Sequence, residues 1–216
     1  MPRIVDRVER RTAIAAAAAD AIADEGIEAV TMKGIADRAG VTTGAVTHYF
    51  DDKDEVILAA LLFVDTAMRV RLDVALERSQ SLVDALLAAL PNDPASRRDW
   101  RVWRVFTDAA SRSELLMSHY RAANTTWLNT ATHVLAEQLG GEPDRRDAQL
   151  VVAVVDSIGD MASADPTSWP EERQRQVIEH CLDRLDVAVL PPSAGRGLMS
   201  PRAGSIHQTK AQELPA

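Results

Sequence analysis

The chain has 216 residues, a net charge of −8, and 46% hydrophobic against 26% charged residues, the ordinary balance of a chain that buries a core. Its apolar stretches are broken by charges well short of the roughly 18 residues a membrane span needs, and the opening MPRIVDRVERR lacks the apolar run of a signal peptide. A single cysteine, Cys181, excludes an internal disulfide, and the expectation is a cytoplasmic protein.

Aromatics are only 4%, and alanine and leucine carry much of the apolar content, which favours helices over strands. From Arg7 to Glu25 an alanine-rich segment sets Ile14, Ala18, Ala21 and Ile22 on one stripe, and Gly26 follows as a helix stop. Thr31 caps a short helix that ends at Gly40. Thr42 caps another reaching about Tyr49, with Val41 and Val46 at the two positions of a hydrophobic staple. Asp51 is the expected cap of a long helix over 52–78, with Val56, Ala59, Ala60, Phe63, Ala67 and Val70 inward. Helices follow at 81–90, 94–111, 114–139, 143–164 and 170–189, bounded by prolines and by Gly140-Gly141. No run shows a two-residue alternation, so the prediction is an all-α protein of about nine helices. Residues 191–216 hold four prolines and three glycines and read as a disordered tail.

Residues 31–50, TMKGIADRAGVTTGAVTHYF, hold two short helices with a glycine at the centre of the turn between them. That is the pattern of a helix-turn-helix, whose turn needs a left-handed backbone. Ile35, Ala36 and Ala39 face the interior of the motif, and Val46 anchors the second helix. The other face of 42–49 is polar and slim: Thr42, Thr43, Gly44, Thr47 and His48. Short side chains of this kind suit a helix entering the major groove. Charge opposes this reading. Residues 1–53 hold seven Lys and Arg against nine Asp and Glu, although phosphate affinity follows where the cations sit rather than their sum. Four arginines (Arg3, Arg7, Arg10 and Arg11) fall in the first eleven residues.

The run GIADRAGVTTGAVTHYFDDKDEVI resembles the N-terminal domain of TetR-family repressors, matching its Ile-Ala, Ala-Gly-Val, Gly-x-hydrophobic, Tyr/His-Phe and distal Lys positions without gaps. The resemblance implies an all-α dimer that binds double-stranded operator DNA and releases it when a small-molecule effector binds. By position it makes Thr42, Thr43, Gly44, Thr47, His48 and Tyr49 the DNA contacts, with Lys53 on a phosphate. Lys33 is grouped with them. Two positions depart from the pattern. Thr47 stands where many members have tyrosine, and Gly34 where a longer polar residue is usual. The expected domains are 1–53 for DNA binding and 54–190 for ligand binding and dimerisation.

Trp100, Trp103 and Phe106 share one face of helix 94–111, and Met117, Tyr120, Asn124, Trp127 and Ala131 share one face of helix 114–139. Core burial is the commoner fate of any single aromatic. The functional reading is a pocket lined by Trp100, Trp103, Phe106, Tyr120, Asn124 and Trp127. Asp156 is its carboxylate, and Asp108, His119 and His133 are further polar candidates. Aromatics with a carboxylate favour a cation. The WRVWRVF segment is similar to members that sense choline-like compounds, a likeness too short to name a ligand. Leu150, Val151, Val154, Val155, Ile158 and Met161 stripe helix 143–164. Ile178, Cys181, Leu182, Leu185 and Val189 stripe the last helix. Two such hairpins would form a four-helix bundle across a two-fold axis, so Leu150, Val151, Val154, Ile158, Ile178, Leu182 and Leu185 are the expected dimer contacts.

The five histidines have no i, i+4 histidine partner, and GxSxG and P-loop patterns are absent. The reading is therefore no enzyme, no cofactor, no metal and no membrane partner. The alternatives are a regulator of the same fold without an effector, and a dimeric interaction or ligand-sequestering protein that binds no DNA.

Overall fold

The computed structural model describes residues 3–78, 81–139 and 141–185, with the side chains of 3–6 and 139 left out. Val189 and the 191–216 tail lie outside the described residues. Nine helices and no strand occur among those described: α1 (Arg3–Glu25), α2 (Met32–Ala39), α3 (Thr43–Tyr49), α4 (Lys53–Glu77), α5 (Leu82–Ala88), α6 (Pro94–Ala110), α7 (Glu114–Leu139), α8 (Arg145–Ala164) and α9 (Glu171–Arg184). The caps explain the boundaries. Asp93 and Ser96 form a reciprocal capping box at the start of α6, with Pro94 as its first residue. Ser81 and Asp144 cap α5 and α8. The cap of α4 is Asp52, not Asp51 as expected. The Asp52 carboxylate accepts from the Glu55 N–H at 2.8 Å, while the Asp51 N–H turns to the Glu55 side chain at 2.8 Å.

α1 packs on α2, α4 and α6, and α2 packs on α3. α6 also meets α4, α7 and α8, while α9 closes over α5 and α8. The main apolar core runs from Ile14 in α1 to Leu182 in α9, and a smaller cluster of Leu72, Ala75, Ala85 and Ala89 lies between α4 and α5. Val56 and Ala60 of α4 are buried as expected, together with Ile57, Leu61, Val64, Met68 and Leu72. Val70, expected inward, is instead 52% exposed. The run 56–64 is wholly apolar, so periodicity alone leaves the inward direction open; the α1 and α6 neighbours decide it.

Trp100 and Phe106 are each 1% exposed and belong to the core rather than to a pocket wall. The Trp100 Nε1–H donates to the Ala89 carbonyl at 2.8 Å. Its six-membered ring lies against Gly159 of α8, where an added Cβ would sit 2.3 Å from two ring carbons. The absent side chain is what lets α8 approach α6 this closely.

Asp99 of α6 is fully buried. Arg98 grips one of its oxygens with Nε and Nη2 at 2.9 and 2.7 Å, and Arg71 of α4 donates to the other at 2.9 Å. Arg98 also reaches Asp20 of α1 at 3.1 Å. A buried carboxylate needs such charged donors to offset its desolvation, and here they tie α1, α4 and α6 together.

Candidate DNA interface and ligand cavity

The α2–α3 pair is built by local chemistry. The Thr31 hydroxyl accepts from the Gly34 N–H at 3.0 Å, and the Thr42 hydroxyl from the Ala45 N–H at 3.1 Å. Gly40 has φ 66°, and the Val41 N–H reaches back to the Ala36 carbonyl at 3.0 Å, which ends α2 and turns the chain. Ile35, Ala36 and Val46 are buried. Thr42, Thr43, Gly44, Thr47 and His48 are exposed together along α3, and Lys33 is exposed on α2. The Thr47 hydroxyl donates to the Gly44 carbonyl at 3.2 Å. Tyr49 is half-buried, edge-on to His48 with ring centroids 5.2 Å apart. Lys53 is half-buried at the first position of α4, and its Nζ donates at a long 3.4 Å to the Glu28 carbonyl.

Arg11 has a role that sequence reasoning missed. From α1, its Nη1 donates to the Tyr49 carbonyl at 2.7 Å, and its Nη2 pairs with Glu55 of α4 at 2.6 Å. Its guanidinium also covers the Phe50 ring, 4.3 Å from the centroid. The C-terminus of α3 and the N-terminus of α4 are thus held by one α1 side chain. Hydrogen bonds from Arg11, then from the Asp51 N–H, hold the Glu55 carboxyl below its usual range. Arg38 makes a similar clamp from α2 to Asp24 and Glu25 of α1, at 2.7 and 2.9 Å. Two of the cations in the N-terminal count are therefore committed within the protein.

A cavity of about 60 Å³ lies between α4, α5, α7 and α8. Its wall is apolar, formed by side chains such as Leu72, Leu86, Val134 and Val155, with Trp127 as its aromatic ring. Two polar side chains, Thr130 and Asp156, join that wall. Burial, then the neighbouring charge of Asp160, pushes the Asp156 carboxyl up to about 6. Of the seven residues expected to bind ligand, Trp127 and Asp156 meet here. Trp103 lines a separate cleft with Asp65, Arg69 and His119, and Tyr120 is tilted against it at 6.2 Å. Asn124 lines neither space. Asp108 and His133 are exposed; Asp108 pairs with Arg112, and the His133 Nε2 lies 3.5 Å from Glu137. Asp65 was also missed. It is buried in α4, accepts from the Trp127 Nε1–H at 3.0 Å and pairs with Arg69. Its signal in the sequence is the Asp-Arg pair at i, i+4 inside an otherwise apolar stretch.

The expected dimer stripe divides in two. Val151, Ile158, Ile178 and Leu182 are buried within the protomer, so they pack α8 and α9 onto their own chain. Leu150 and Met161 are 46% and 45% exposed. Val154 and Leu185 are half-buried.

A glycine-turned helix pair with a slim polar outer face, mounted by one long helix on a larger helical body, defines a helix-turn-helix DNA-binding regulator. Residues 14–60 match the model for bacterial regulatory proteins of the tetR family, and residues 77–187 match that of the BetI-type transcriptional repressor C-terminal region. The chain belongs to the TetR family of transcriptional regulators. It is 26% identical over 194 residues to the HTH-type transcriptional regulator PksA of Bacillus subtilis, covering 87% of this chain and 95% of that one. BetI of Klebsiella pneumoniae is 36% identical over 98 residues, 45% of each chain. Among solved structures, a transcriptional regulator from Rhodococcus sp. Rha1 has a TM-score of 0.71 at 30% identity, over 81% of this chain and 95% of that one. One from Saccharomonospora viridis, in complex with choline, shares the fold with a TM-score of 0.69 at 21% identity, over 82% of this chain and 96% of that one. Among the described residues no helix is long and apolar enough to cross a membrane, and no group of three His, Cys, Asp or Glu could hold a metal ion.

Proposed function

We propose that this regulator is a cytoplasmic homodimeric repressor that holds a palindromic operator through α3 and releases it when a small molecule occupies the α4–α5–α7–α8 cavity. One observation carries the reading: α4 begins beside the recognition helix and ends in the cavity wall. Lys53 and Glu55 lie in its first turn, and Leu72 lines the cavity. Its 25 residues span roughly 37 Å at about 1.5 Å per residue. A ligand that pushes on Leu72 therefore acts on the same rigid rod that Arg11 pins to Tyr49. The Asp99 ion network joins that rod to α6 and α1, so a tilt of α4 is carried into the DNA-binding layer. A useful switch needs several kcal/mol of differential affinity between the two states.

In this reading Thr42, Thr43, Gly44, Thr47, His48 and Tyr49 meet DNA, with Lys33 and Lys53 serving phosphates. The partner protomer packs on the outward side of α8, where Leu150 and Met161 are exposed, with Val154 and Leu185 at its margin. A dimer is what a palindrome requires, with half-sites about one helical turn apart or a small multiple.

Fluorescence anisotropy against the protein's own upstream DNA and a scrambled duplex, over a salt series, tests the reading. Preference for the upstream duplex with a steep negative salt slope supports it. Equal binding to both duplexes at every salt concentration, together with no enriched sequence in a genomic selection, refutes it. A second reading, a regulator of the same fold without an effector, draws on the small size of the cavity. It predicts operator affinity that no cavity-binding molecule changes.

A further inference from the structure

Asp156 is a half-buried carboxylate on a wall that is apolar apart from Thr130. The cavity sides supplied by α4 and α5 are hydrocarbon, and α7 adds Thr130 as a neutral polar group and Trp127 as an aromatic one. Among the described residues no cation lines the space. The charge acting on Asp156 is Asp160, one turn further along α8, and Arg104 of α6 acts on Asp160. Among the described residues no donor hydrogen-bonds the Asp156 carboxylate, in contrast to Asp65 and Asp99, which are each held by two residues. Holding an unpaired carboxylate against apolar side chains is costly, and a cation that donates a hydrogen bond to it offsets part of that cost.

We propose that the cavity selects a small protonated alkylamine, a primary to tertiary ammonium whose N–H donates to Asp156 while its alkyl body lies against Leu72, Leu86 and Val155. This rests on the reading of the cavity as the effector site. The wall also argues against a quaternary ammonium. Such a cation has no N–H to give, and it is held by several aromatic faces around its methyl groups. Here one ring, Trp127, lines the cavity, while Trp100 and Phe106 are packed in the core and Trp103 faces another cleft. The Thr130 hydroxyl gives a second acceptor, which only an amine with more than one N–H uses. A volume of about 60 Å³ is below the roughly 150 Å³ that admits benzene, so the enclosed part of the ligand is a few heavy atoms and a longer chain extends to the mouth.

Isothermal titration calorimetry of the full-length protein without DNA tests this with three probes: hexylamine, hexanol and hexyltrimethylammonium. At pH 7.5 hexylamine is expected to bind at least tenfold more tightly than either of the others. In Asp156→Asn the preference for hexylamine over hexanol disappears while hexanol binding stays within threefold of wild type, which shows that the variant retains its cavity. Hexylamine affinity should also fall below pH 6 as the carboxyl takes up its proton, with hexanol unaffected. Equal binding of amine and alcohol, tighter binding of the quaternary probe, an amine preference that survives in Asp156→Asn, or binding of none of the three overturns the proposal. The larger reading is scored separately by operator release. Release by hexanol without amine preference leaves the effector cavity standing and removes the amine. Absence of both binding and release by all three probes counts against both.

Discussion

Replacing Gly159 by alanine sets two effects against each other. In an exposed helix the substitution would stabilise by up to about 1 kcal/mol, because glycine pays more backbone entropy than alanine. At this position the new methyl would lie 2.3–2.4 Å from three carbons of the Trp100 ring, against the 3.5–4.0 Å of ordinary carbon contact. Something must move by more than 1 Å. Trp100 is 1% exposed and tethered through Nε1 to the Ala89 carbonyl, so swinging it away also breaks a buried hydrogen bond. Overpacking costs about 1–3 kcal/mol, and a buried donor and acceptor left unpaired cost about 1–3 more. The clash wins, and Gly159→Ala is expected to destabilise by about 3 kcal/mol. Urea unfolding at fixed protein concentration measures it, which keeps any contribution from self-association constant. In heat the same change lowers Tm by about 6–12 °C. Trp100→Phe removes the distal ring atoms, so the double variant should be more stable than the sum of the singles implies, by about 1–3 kcal/mol. A Gly159→Ala change within about 0.5 kcal/mol of wild type, or strictly additive costs, would refute the argument.

Three further outcomes follow from the site. Arg11→Ala is expected to weaken operator binding about tenfold without altering the salt slope, because Arg11 positions α3 through the Tyr49 carbonyl; a slope reduced by about 0.9 would make it a phosphate contact instead. Lys53→Ala should do the reverse, lowering the slope by about one and weakening binding to all sequences alike, and an unchanged slope rules that contact out. For Asp156, burial raises the folded carboxyl from 3.8 to about 6, so between these values the folded state holds its proton longer than the unfolded chain. Stability therefore falls as pH rises through that window, and the full penalty is present above pH 6. Asp156→Asn should raise stability by about 1–3 kcal/mol at pH 7.5 and leave it unchanged near pH 4, and a pH-independent difference in the unfolding midpoint would contradict the assignment.

Much of the helix-turn-helix was legible in the sequence because local chemistry builds it. A threonine cap bonds to an N–H three residues on, and a left-handed turn asks for glycine. Both depend on neighbours in the chain, so Thr31, Gly40 and Thr42 could be placed before any packing was known, as could the polar outer face of α3. Helix order follows for the same reason, from prolines, glycines and caps. Tertiary structure decided which apolar side of each helix looked inward. In α4 the run 56–64 and in α8 the run 150–155 are wholly apolar, so within them every side is a candidate face, and the direction is set by whichever helix lies alongside. Val70 turned outward, and Val151 and Ile158 turned into their own protomer. The aromatics divided for a spatial reason that spacing along a helix cannot express. Gly159, 59 residues downstream, leaves room for Trp100 in the core, while Trp127 reaches the cavity from the next helix. The pairings of Arg11 with Tyr49 and Glu55, and of Asp99 with Arg71 and Arg98, join helices that only folding brings together, because an ion pair depends on distance in space and leaves no period in the chain.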